Sequence, residues 1–358
     1  MESPGDHRKH RIVDAIPIIS LFCGAGGLDL GFKQAGFRTI LAIDSDQAAC
    51  QTFMLNHPTC SVLKRDLATV HHRYIVDRIS ELTQGDVPVG VIGGPPCQAF
   101  SFGNVHKKAD DARSRLPAKY AAHLAVLRKE FDIDFFVFEN VPGLNSRNHN
   151  TLFTELKGLF EKAGFIIQVA LLDAQDFGVP QRRRRIFVVG FNRKKCRTIS
   201  FSFPEPSQYT PVTVRDTLWE LPDPVYFSRN LTVDQIPFHP NHWCMRPRSP
   251  KFLNGLLTRE GNSNKGRPFR VLDWDSPSPT VAYGHREVHV HPSGKRRLSV
   301  YEAMLLQGFP HDYRLCGNLS KQITLISDAV SPPVGLALAE QIRKSLHASS
   351  DEKKATAR

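Results

Sequence analysis

Residues 16–44 read IPIISLFCGAGGLDLGFKQAGFRTILAID. An apolar run ends in a glycine-rich turn, a periodic segment follows, and a second apolar run ends at an acidic residue. Apolar runs joined by amphipathic segments are typical of parallel strands connected by helices. Glycines let the backbone approach a ligand at the carboxyl edge of such a sheet. The stretch therefore predicts an α/β fold in which Gly24, Gly26 and Gly27 face a ligand.

The same alternation continues to about Gly190. Apolar runs predict buried strands at 16–22, 37–43, 87–92, 133–138, 165–172 and 185–191. Amphipathic periodicity predicts helices at 27–36, 48–56, 119–131, 151–164, 298–309 and 334–346. Residues 194–285 are rich in proline, hold all three tryptophans and lack a helical period, so we expect a separate, irregular lobe there. A catalytic domain then comprises 16–193 and 286–346, with disordered ends at 1–15 and 347–358.

Composition limits the class of protein. Lys and Arg number 47 against 35 Asp and Glu, and a net charge of +12 suits a protein that approaches a polyanion. The seven cysteines include no CxxC pair, which argues against a zinc site or a disulfide framework and favours a reducing compartment. No apolar stretch is long enough to cross a bilayer. We expect a soluble, cytoplasmic protein.

Two acids follow predicted strands. Asp44 stands 20 residues after Gly24, where a carboxylate can accept hydrogen bonds from ribose hydroxyls. A dinucleotide fingerprint would place glycine where this chain has Asp29, which counts against a nicotinamide enzyme. Asp66 follows a short third run and has two interpretations: it could bind an adenine amino group, or it could cap a helix.

The segment GGPPCQAFSFGN at 93–104 holds Cys97 in a stiff loop after the fourth strand. Cys97 is either an exposed nucleophile or a small buried hydrophobe, and the Pro-Pro setting favours the nucleophile. Glu139 ends the neighbouring strand, where an apolar environment would raise its pKa and suit it to carry a proton. In PQRRRRIFVVG, at 180–190, Gln181, Arg183 and Arg185 share one face of a strand, although four arginines can also form a solvated surface.

In this order the elements resemble the motif set of DNA cytosine-5 methyltransferases of the prokaryotic restriction-modification type. The matching motifs are FCGAGG, Asp44, Asp66, PPCQ, ENV, QRRRR, RLSVYEAMLLQGFP and AVSPP, over about residues 16–346. The resemblance implies a Rossmann-like methyltransferase sheet that binds S-adenosylmethionine. It also implies that the lobe at 194–285 is a target-recognition domain that reads DNA.

The resemblance assigns roles to matching positions. Cys97 would attack C6 of a cytosine flipped out of the duplex, Glu139 would protonate ring N3, and Arg185, aided by Arg183, would bind the O2 side. The implied S-adenosylmethionine contacts are Phe22, Gly24, Ala25, Gly26, Gly27, Asp44, Asp66, Leu67 and Pro95. The implied DNA contacts are Gln98, Ser101, Gln181 and Thr280. No metal is implied, and we expect a monomer that acts on double-stranded DNA.

Three positions depart from the family pattern. Ser327-Asp328 replaces a usual Gly-Asn, and an aspartate cannot donate a hydrogen bond to the cofactor as an amide does. Ser45 stands where an aromatic residue is frequent. In DDARSRLP, at 110–117, Leu116 follows an arginine where a small or amide residue is usual. None of the three removes a catalytic group.

Two other functions are weighed against this one. An RNA cytosine methyltransferase of the same fold would carry a Cys-Phe-Thr signature in the smaller lobe, and the sequence has none there. A catalytically silent DNA-binding protein would not need Cys97, Glu139 or the arginines. The catalytic core with one recognition lobe suggests a restriction-modification enzyme.

Overall fold

A computed structural model describes residues 15–83, 87–96, 115–146, 149–195, 201–206, 210–248, 250, 269–280 and 289–356, with side chains as far as 347. A central sheet contains strands β1 (Ile16–Leu21), β2 (Phe37–Asp44), β3 (Ser61–Lys64), β4 (Gly90–Gly93), β5 (Phe135–Asn140), β6 (Phe165–Asp173) and, after a short β7 (Gln181–Arg182), β8 (Arg184–Asn192). Their spatial order is β3-β2-β1-β4-β5-β8-β6. Every strand predicted from an apolar run is present, which confirms the α/β class.

One strand of the sheet runs against the others. β1 to β5 pair in parallel, whereas β8 is antiparallel to both β5 and β6. The expectation of a wholly parallel sheet was therefore wrong at β8. Only about ten residues join β6 to β8, and a parallel crossover needs a dozen or more, so the chain turns back beside β6.

Helices cover both faces of the sheet. Their bounds are α1 (Gly27–Gln34), α2 (Gln47–Asn56), α3 (His72–Thr83), α4 (Leu116–Phe131), α5 (Asn150–Lys162), α6 (Val214–Leu218), α7 (Val300–Leu306), α8 (Leu319–Asp328) and α9 (Pro332–Thr356). Alternate residues of β5 point to opposite faces. Phe136 and Phe138 pack with Tyr120 of α4, whereas Phe135 packs with Phe32 of α1.

Three helices, α3, the short α6 and α8, were missed in the sequence. Helix α8 begins after Asn318, whose side chain accepts a hydrogen bond from the Lys321 N–H at 3.0 Å. Its buried Leu319, Leu325 and Ile326 have helical spacing, but polar residues interrupt the run. The omission matters because α8 contributes to the main cavity described below.

The smaller lobe contains short paired strands. They are β9 (Val225–Tyr226) with β10 (Trp243–Cys244), β11 (Arg270–Val271) with β13 (His289–Val290), and β12 (Ser278–Pro279) with β7 of the larger domain. Phe201 packs against Phe191 of β8, so the covering of the sheet extends past residue 193, where the sequence placed the domain boundary.

The two ends of the chain differ. The backbone of residues 347–356 continues α9, in contrast to the disordered tail that we expected. Ala, Glu and Lys favour helix, and extending an existing helix costs little once it is nucleated. The expected disorder at 1–15 falls almost wholly outside the described residues. Among the helices that the structure describes, none is long and apolar enough to span a membrane.

Candidate active site

The glycine turn (residues 23–27) links β1 to α1 at the carboxyl edge of the sheet. Gly24 and Gly26 have φ angles of 53° and 76°, in the left-handed region where a β-carbon is disfavoured. The Gly26 N–H donates to the Cys23 carbonyl at 2.9 Å and closes the turn. A β-carbon at Gly24 would have no neighbouring atom within 4 Å, so this side of the turn faces open space.

Asp44 lies next to the glycine turn at the end of β2. Its carboxylate accepts hydrogen bonds from the Gly24 N–H at 3.0 Å and from the Asp46 N–H at 2.9 Å. Burial raises the pKa of Asp44, and these N–H groups oppose that shift. The acid is thus fixed beside the turn, as its spacing predicted.

A cavity of about 350 Å³ opens at this edge of the sheet. Predicted site residues that line it are Phe22, Gly24, Ala25, Gly26, Gly27, Asp44, Pro95, Glu139 and Arg185. This volume is within the usual range of small-molecule sites in proteins. The structure therefore brings together most residues predicted for the cofactor and two of those predicted for catalysis.

Asp66 and Leu67 are not among the residues that line the cavity. The Asp66 carboxylate accepts a hydrogen bond from the Ala68 N–H at 2.8 Å, which closes a local turn; it does not cap a helix, because α3 begins only at His72. Leu67 is buried in the core, and its carbonyl accepts a hydrogen bond from Nε2 of His123 at 2.9 Å. Their contact with a cofactor stays a prediction.

Glu139 and Arg185 form an ion pair on the cavity wall. The Arg185 Nε lies 3.0 Å from Oε1 of Glu139, and their side chains are 14% and 9% exposed. Burial raises the pKa of the Glu139 carboxyl, while Arg185 and, to a smaller extent, Arg183 oppose the shift. A β-carbon at Gly94 would lie 2.7 Å from Oε2 of Glu139. Only glycine therefore permits the loop that follows β4 (residues 94–96, the β4 loop) to approach the Glu139 carboxylate this closely.

The β4 loop is joined to the end of β5. The Asn140 side chain donates to the Pro95 carbonyl at 3.2 Å, and Pro96, which precedes Cys97, also lines the cavity. Cys97 itself lies outside the described residues, together with Gln98 and Ser101. Their roles stay predictions.

Arg183 does not share the cavity with Arg185. Its side chain is 2% exposed, and Nη2 donates to the carbonyls of Ser327 at 2.7 Å and Ala329 at 2.8 Å. The sequence analysis predicted that Arg183 lies beside Arg185 and contacts the cytosine base. In the structure its guanidinium is hydrogen-bonded to the backbone on either side of Asp328, and its role at the base stays a prediction.

Gln181 and Thr280, both predicted to face DNA, lie where the smaller lobe joins the sheet. Gln181 is fully buried in β7 and pairs with Ser278 of β12. The Thr280 hydroxyl donates to the Arg182 carbonyl at 2.7 Å. In this arrangement both residues connect the two parts of the chain.

Four further charged residues of the cavity wall, Asp29, Asp46, Lys321 and Asp328, were not assigned a site role in the sequence. Asp29 accepts hydrogen bonds from Ser20 at 2.9 Å and Thr39 at 2.8 Å, and burial raises its pKa to about 6. Lys321 contacts Asp46, and burial raises the pKa of Asp328. Asp29 was noted only for breaking a glycine pattern and Asp328 only as a departure from the family motif, while Lys321 belongs to the missed helix α8.

The sheet, the glycine turn and the acid at the end of β2 form the arrangement with which α/β proteins bind nucleoside-containing ligands. A model of the C-5 cytosine-specific DNA methylase family matches residues 16–344. Type II methyltransferase M.MthTI of Methanothermobacter thermautotrophicus is 33% identical over 353 residues, covering 92% of this chain and 97% of the relative. Type II methyltransferase M.NgoPII of Neisseria gonorrhoeae is 30% identical, with 92% and 96% covered.

Solved structures share the fold. A protein from an E. coli prophage, described as a DNA modification methyltransferase, gives a TM-score of 0.74 at 24% identity, covering 93% of this chain and 100% of that chain. The Entamoeba histolytica methyltransferase EhMeth gives 0.63 at 17% identity, covering 93% and 99%. The chain belongs to the C-5 cytosine-specific DNA methylase family and is a DNA cytosine-5 methyltransferase. The predicted family, fold and enzyme class are confirmed, and the class requires a methyl donor.

Proposed function

We propose that this enzyme methylates C5 of a cytosine flipped out of double-stranded DNA, with S-adenosylmethionine as donor and Cys97 as covalent nucleophile. The observation that carries the proposal is that the Glu139–Arg185 pair shares one cavity with the glycine turn, and Pro96 leads from that cavity to Cys97. The wall formed by the glycine turn thus suits a nucleoside cofactor, and the wall formed by Glu139 and Arg185 offers groups that can bind a cytosine ring.

The cavity fits S-adenosylmethionine by the chemistry of its lining. Gly24 leaves open space for a ligand against the backbone, and Asp44 can accept hydrogen bonds from ribose hydroxyls. The acids Asp29, Asp44, Asp46, Glu139 and Asp328 outnumber the cations Arg185 and Lys321. An acidic lining suits a cofactor that carries sulfonium and ammonium groups. When bound, S-adenosylmethionine supplies the methyl group.

The chain's own residues carry the other steps. The Cys97 thiolate forms a bond to cytosine C6, and the electron pair of the C5–C6 double bond moves towards C5. Glu139, whose pKa is raised by burial, donates a proton to N3 as the ring accepts the nucleophile. Arg185 orients Glu139 and binds the O2 side. After methylation, N3 returns its proton to the Glu139 carboxylate, C5 passes its proton to water, and the Cys97 thiolate leaves C6, which restores the double bond.

The proposal includes a cellular setting. Because the matched relatives are named Type II methyltransferases, we propose that this enzyme acts in a restriction-modification system, in the cytoplasm, as a monomer and without a metal. The lobe at 194–285 would read the target sequence. Genomic DNA from cells that express the enzyme should resist a nuclease that is blocked by cytosine methylation at the target site.

A methyl-transfer assay tests the proposal. The protein is incubated with methyl-labelled S-adenosylmethionine and either duplex DNA or RNA, and the labelled base is identified after hydrolysis. We expect label in 5-methylcytosine from DNA, loss of transfer in Cys97→Ser, and normal transfer in the control Cys60→Ser, because Cys60 precedes β3 and does not line the cavity. Transfer to RNA alone, or full activity in Cys97→Ser, would contradict the proposal.

A further inference from the structure

We infer that Tyr313 is a positioning residue for the cofactor. Its hydroxyl is hydrogen-bonded to the glycine turn, and residues of the smaller lobe are hydrogen-bonded to the segment that contains Tyr313. The inference rests on the proposed function, since it concerns how the same cavity binds S-adenosylmethionine. It adds a link between the lobe expected to read DNA and the turn expected to bind the cofactor.

Tyr313 packs directly against the glycine turn. Its side chain is 3% exposed, and its hydroxyl donates to the carbonyl of Ala25, a residue of the cavity wall. A β-carbon at Gly26 would lie 2.8 Å from this hydroxyl, and one at Gly27 would lie 2.9 Å from Cζ of Phe309. The turn is therefore packed between Tyr313 and Phe309, with His57, Phe53 and the Val330 carbonyl also against it. Of the two aromatic rings Tyr313 and Phe309, Tyr313 is the one that donates a hydrogen bond to the turn.

The bridge segment (residues 313–316) is held from the side of the smaller lobe. Asn241 donates to the Leu315 carbonyl at 2.9 Å and accepts from the Leu315 N–H at 2.9 Å. Nε2 of His239 donates to the Tyr313 carbonyl at 3.1 Å, while Nδ1 accepts from the Asn241 N–H at 3.1 Å. Burial lowers the pKa of His239 to about 4, which keeps the ring neutral and able to make both bonds at neutral pH.

Helix α2 holds the bridge segment from the larger domain. The Asn56 side chain donates to the Arg314 carbonyl at 2.8 Å and accepts from the Arg314 N–H at 3.1 Å. The Cys316 N–H donates to the Thr52 hydroxyl at 2.9 Å. Four consecutive residues are thus fixed through their backbones, which leaves little freedom to the ring of Tyr313.

Removing the Tyr313 hydroxyl should weaken the cofactor site more than the fold. In Tyr313→Phe the ring still fills its place, but the Ala25 carbonyl loses its buried donor and the turn loses its tether. The matched control is Tyr120→Phe, since the Tyr120 hydroxyl is also buried and donates to a backbone carbonyl, that of Val137, at 2.8 Å inside the sheet. The two variants lose the same kind of bond at different places.

Calorimetric titration of the full-length protein with S-adenosylmethionine, together with the Tm of each free variant, tests the inference. We expect Tyr313→Phe to raise the Kd about tenfold and Tyr120→Phe to leave it within about twofold. We expect the Tm to fall by a similar amount in the two variants. An unchanged Kd in Tyr313→Phe would overturn the inference and leave the proposed function intact. Absence of binding by the natural protein would instead overturn the proposed function.

A second variant tests the link to the smaller lobe. Asn241→Ala releases Leu315 without touching the cavity, and we expect a Kd about threefold higher because the bridge segment loses two hydrogen bonds. If Asn241 acts through Tyr313, the double variant should bind no more weakly than Tyr313→Phe alone. Additive losses in the double variant, or an unchanged Kd in Asn241→Ala, would overturn the link.

Discussion

Replacing Arg185 with methionine should make the stability of this enzyme strongly dependent on pH. The substitution keeps most of the side-chain volume but removes the cation that lies 3.0 Å from the Glu139 carboxylate. The Glu139 side chain is only 9% exposed, so water in the cavity replaces the lost partner only in part. The buried acid must then either stay charged at a high cost or bind a proton.

The magnitude follows from this choice. Removing one partner of a buried ion pair costs about 3–5 kcal/mol when the other stays charged. Burial already raises the pKa of Glu139, and Arg185 is the largest influence that opposes the rise, so the pKa rises further in the variant. A carboxyl whose folded-state pKa lies above its unfolded value contributes stability at low pH that is lost as pH rises through the folded pKa. We expect a loss of about 3 kcal/mol at pH 8 and below about 1 kcal/mol at pH 5.

Urea unfolding at pH 5 and pH 8 measures these losses in the natural protein, Arg185→Met, Glu139→Gln and the double variant. The double variant removes both charges and should recover most of the stability at pH 8, giving a coupling of at least about 1 kcal/mol. An equal loss at both pH values, or additive losses in the double variant, would refute the description of Glu139 as a buried acid held by Arg185.

Three further predictions concern stability and cofactor binding. Gly31→Ala should cost about 2 kcal/mol of unfolding free energy, because its β-carbon would lie 2.4 Å from the Leu336 nitrogen. The control Gly158→Ala, with open space around it in α5, should gain about 1 kcal/mol in the same urea titration. Asp29→Asn should stabilise the protein by up to about 3 kcal/mol at pH 8 and have no effect below pH 4. The reason is that the natural carboxyl has a pKa of about 6, so ionising it above that pH lowers the stability of the folded protein. A pH-independent effect would contradict this prediction. Asp44→Asn should raise the Kd for S-adenosylmethionine at least about tenfold. The single oxygen of the amide cannot replace a carboxylate that accepts hydrogen bonds from the Gly24 and Asp46 N–H groups. An unchanged Kd in calorimetric titration would disprove this prediction.

The sheet and one wall of the cavity follow from local sequence. Apolar runs fix the strands, and the ends of parallel neighbours meet, so Glu139 falls beside the β4 loop and Asp44 beside Gly24. These two juxtapositions can be predicted from the order of the strands and from the position of each residue at the end of its strand. That is why the ordered motifs indicated both the fold and the family.

Other features depend on partners distant in the chain. The guanidinium of Arg183 turns inward because carbonyls of Ser327 and Ala329, more than 140 positions away, accept from it. The contact between Tyr313 and Ala25 joins residues 288 positions apart. A periodic pattern reports which face of an element is buried, but not which distant atoms satisfy a buried donor. Helix α8 was missed because polar residues interrupt its apolar spacing, and four residues of the cavity wall lie on it, namely Lys321, Thr324, Leu325 and Asp328.

Covalent trapping tests the central claim most directly. The protein is mixed with S-adenosylmethionine and duplex DNA of randomised sequence that contains 5-fluorocytosine, whose fluorine blocks the final loss from C5. We predict a protein–DNA complex that survives denaturation, requires the cofactor, is absent in Cys97→Ala and is present in Cys60→Ala. A trapped complex that persists in Cys97→Ala, or no complex from a protein that methylates ordinary DNA, would contradict the claim that Cys97 is the covalent nucleophile.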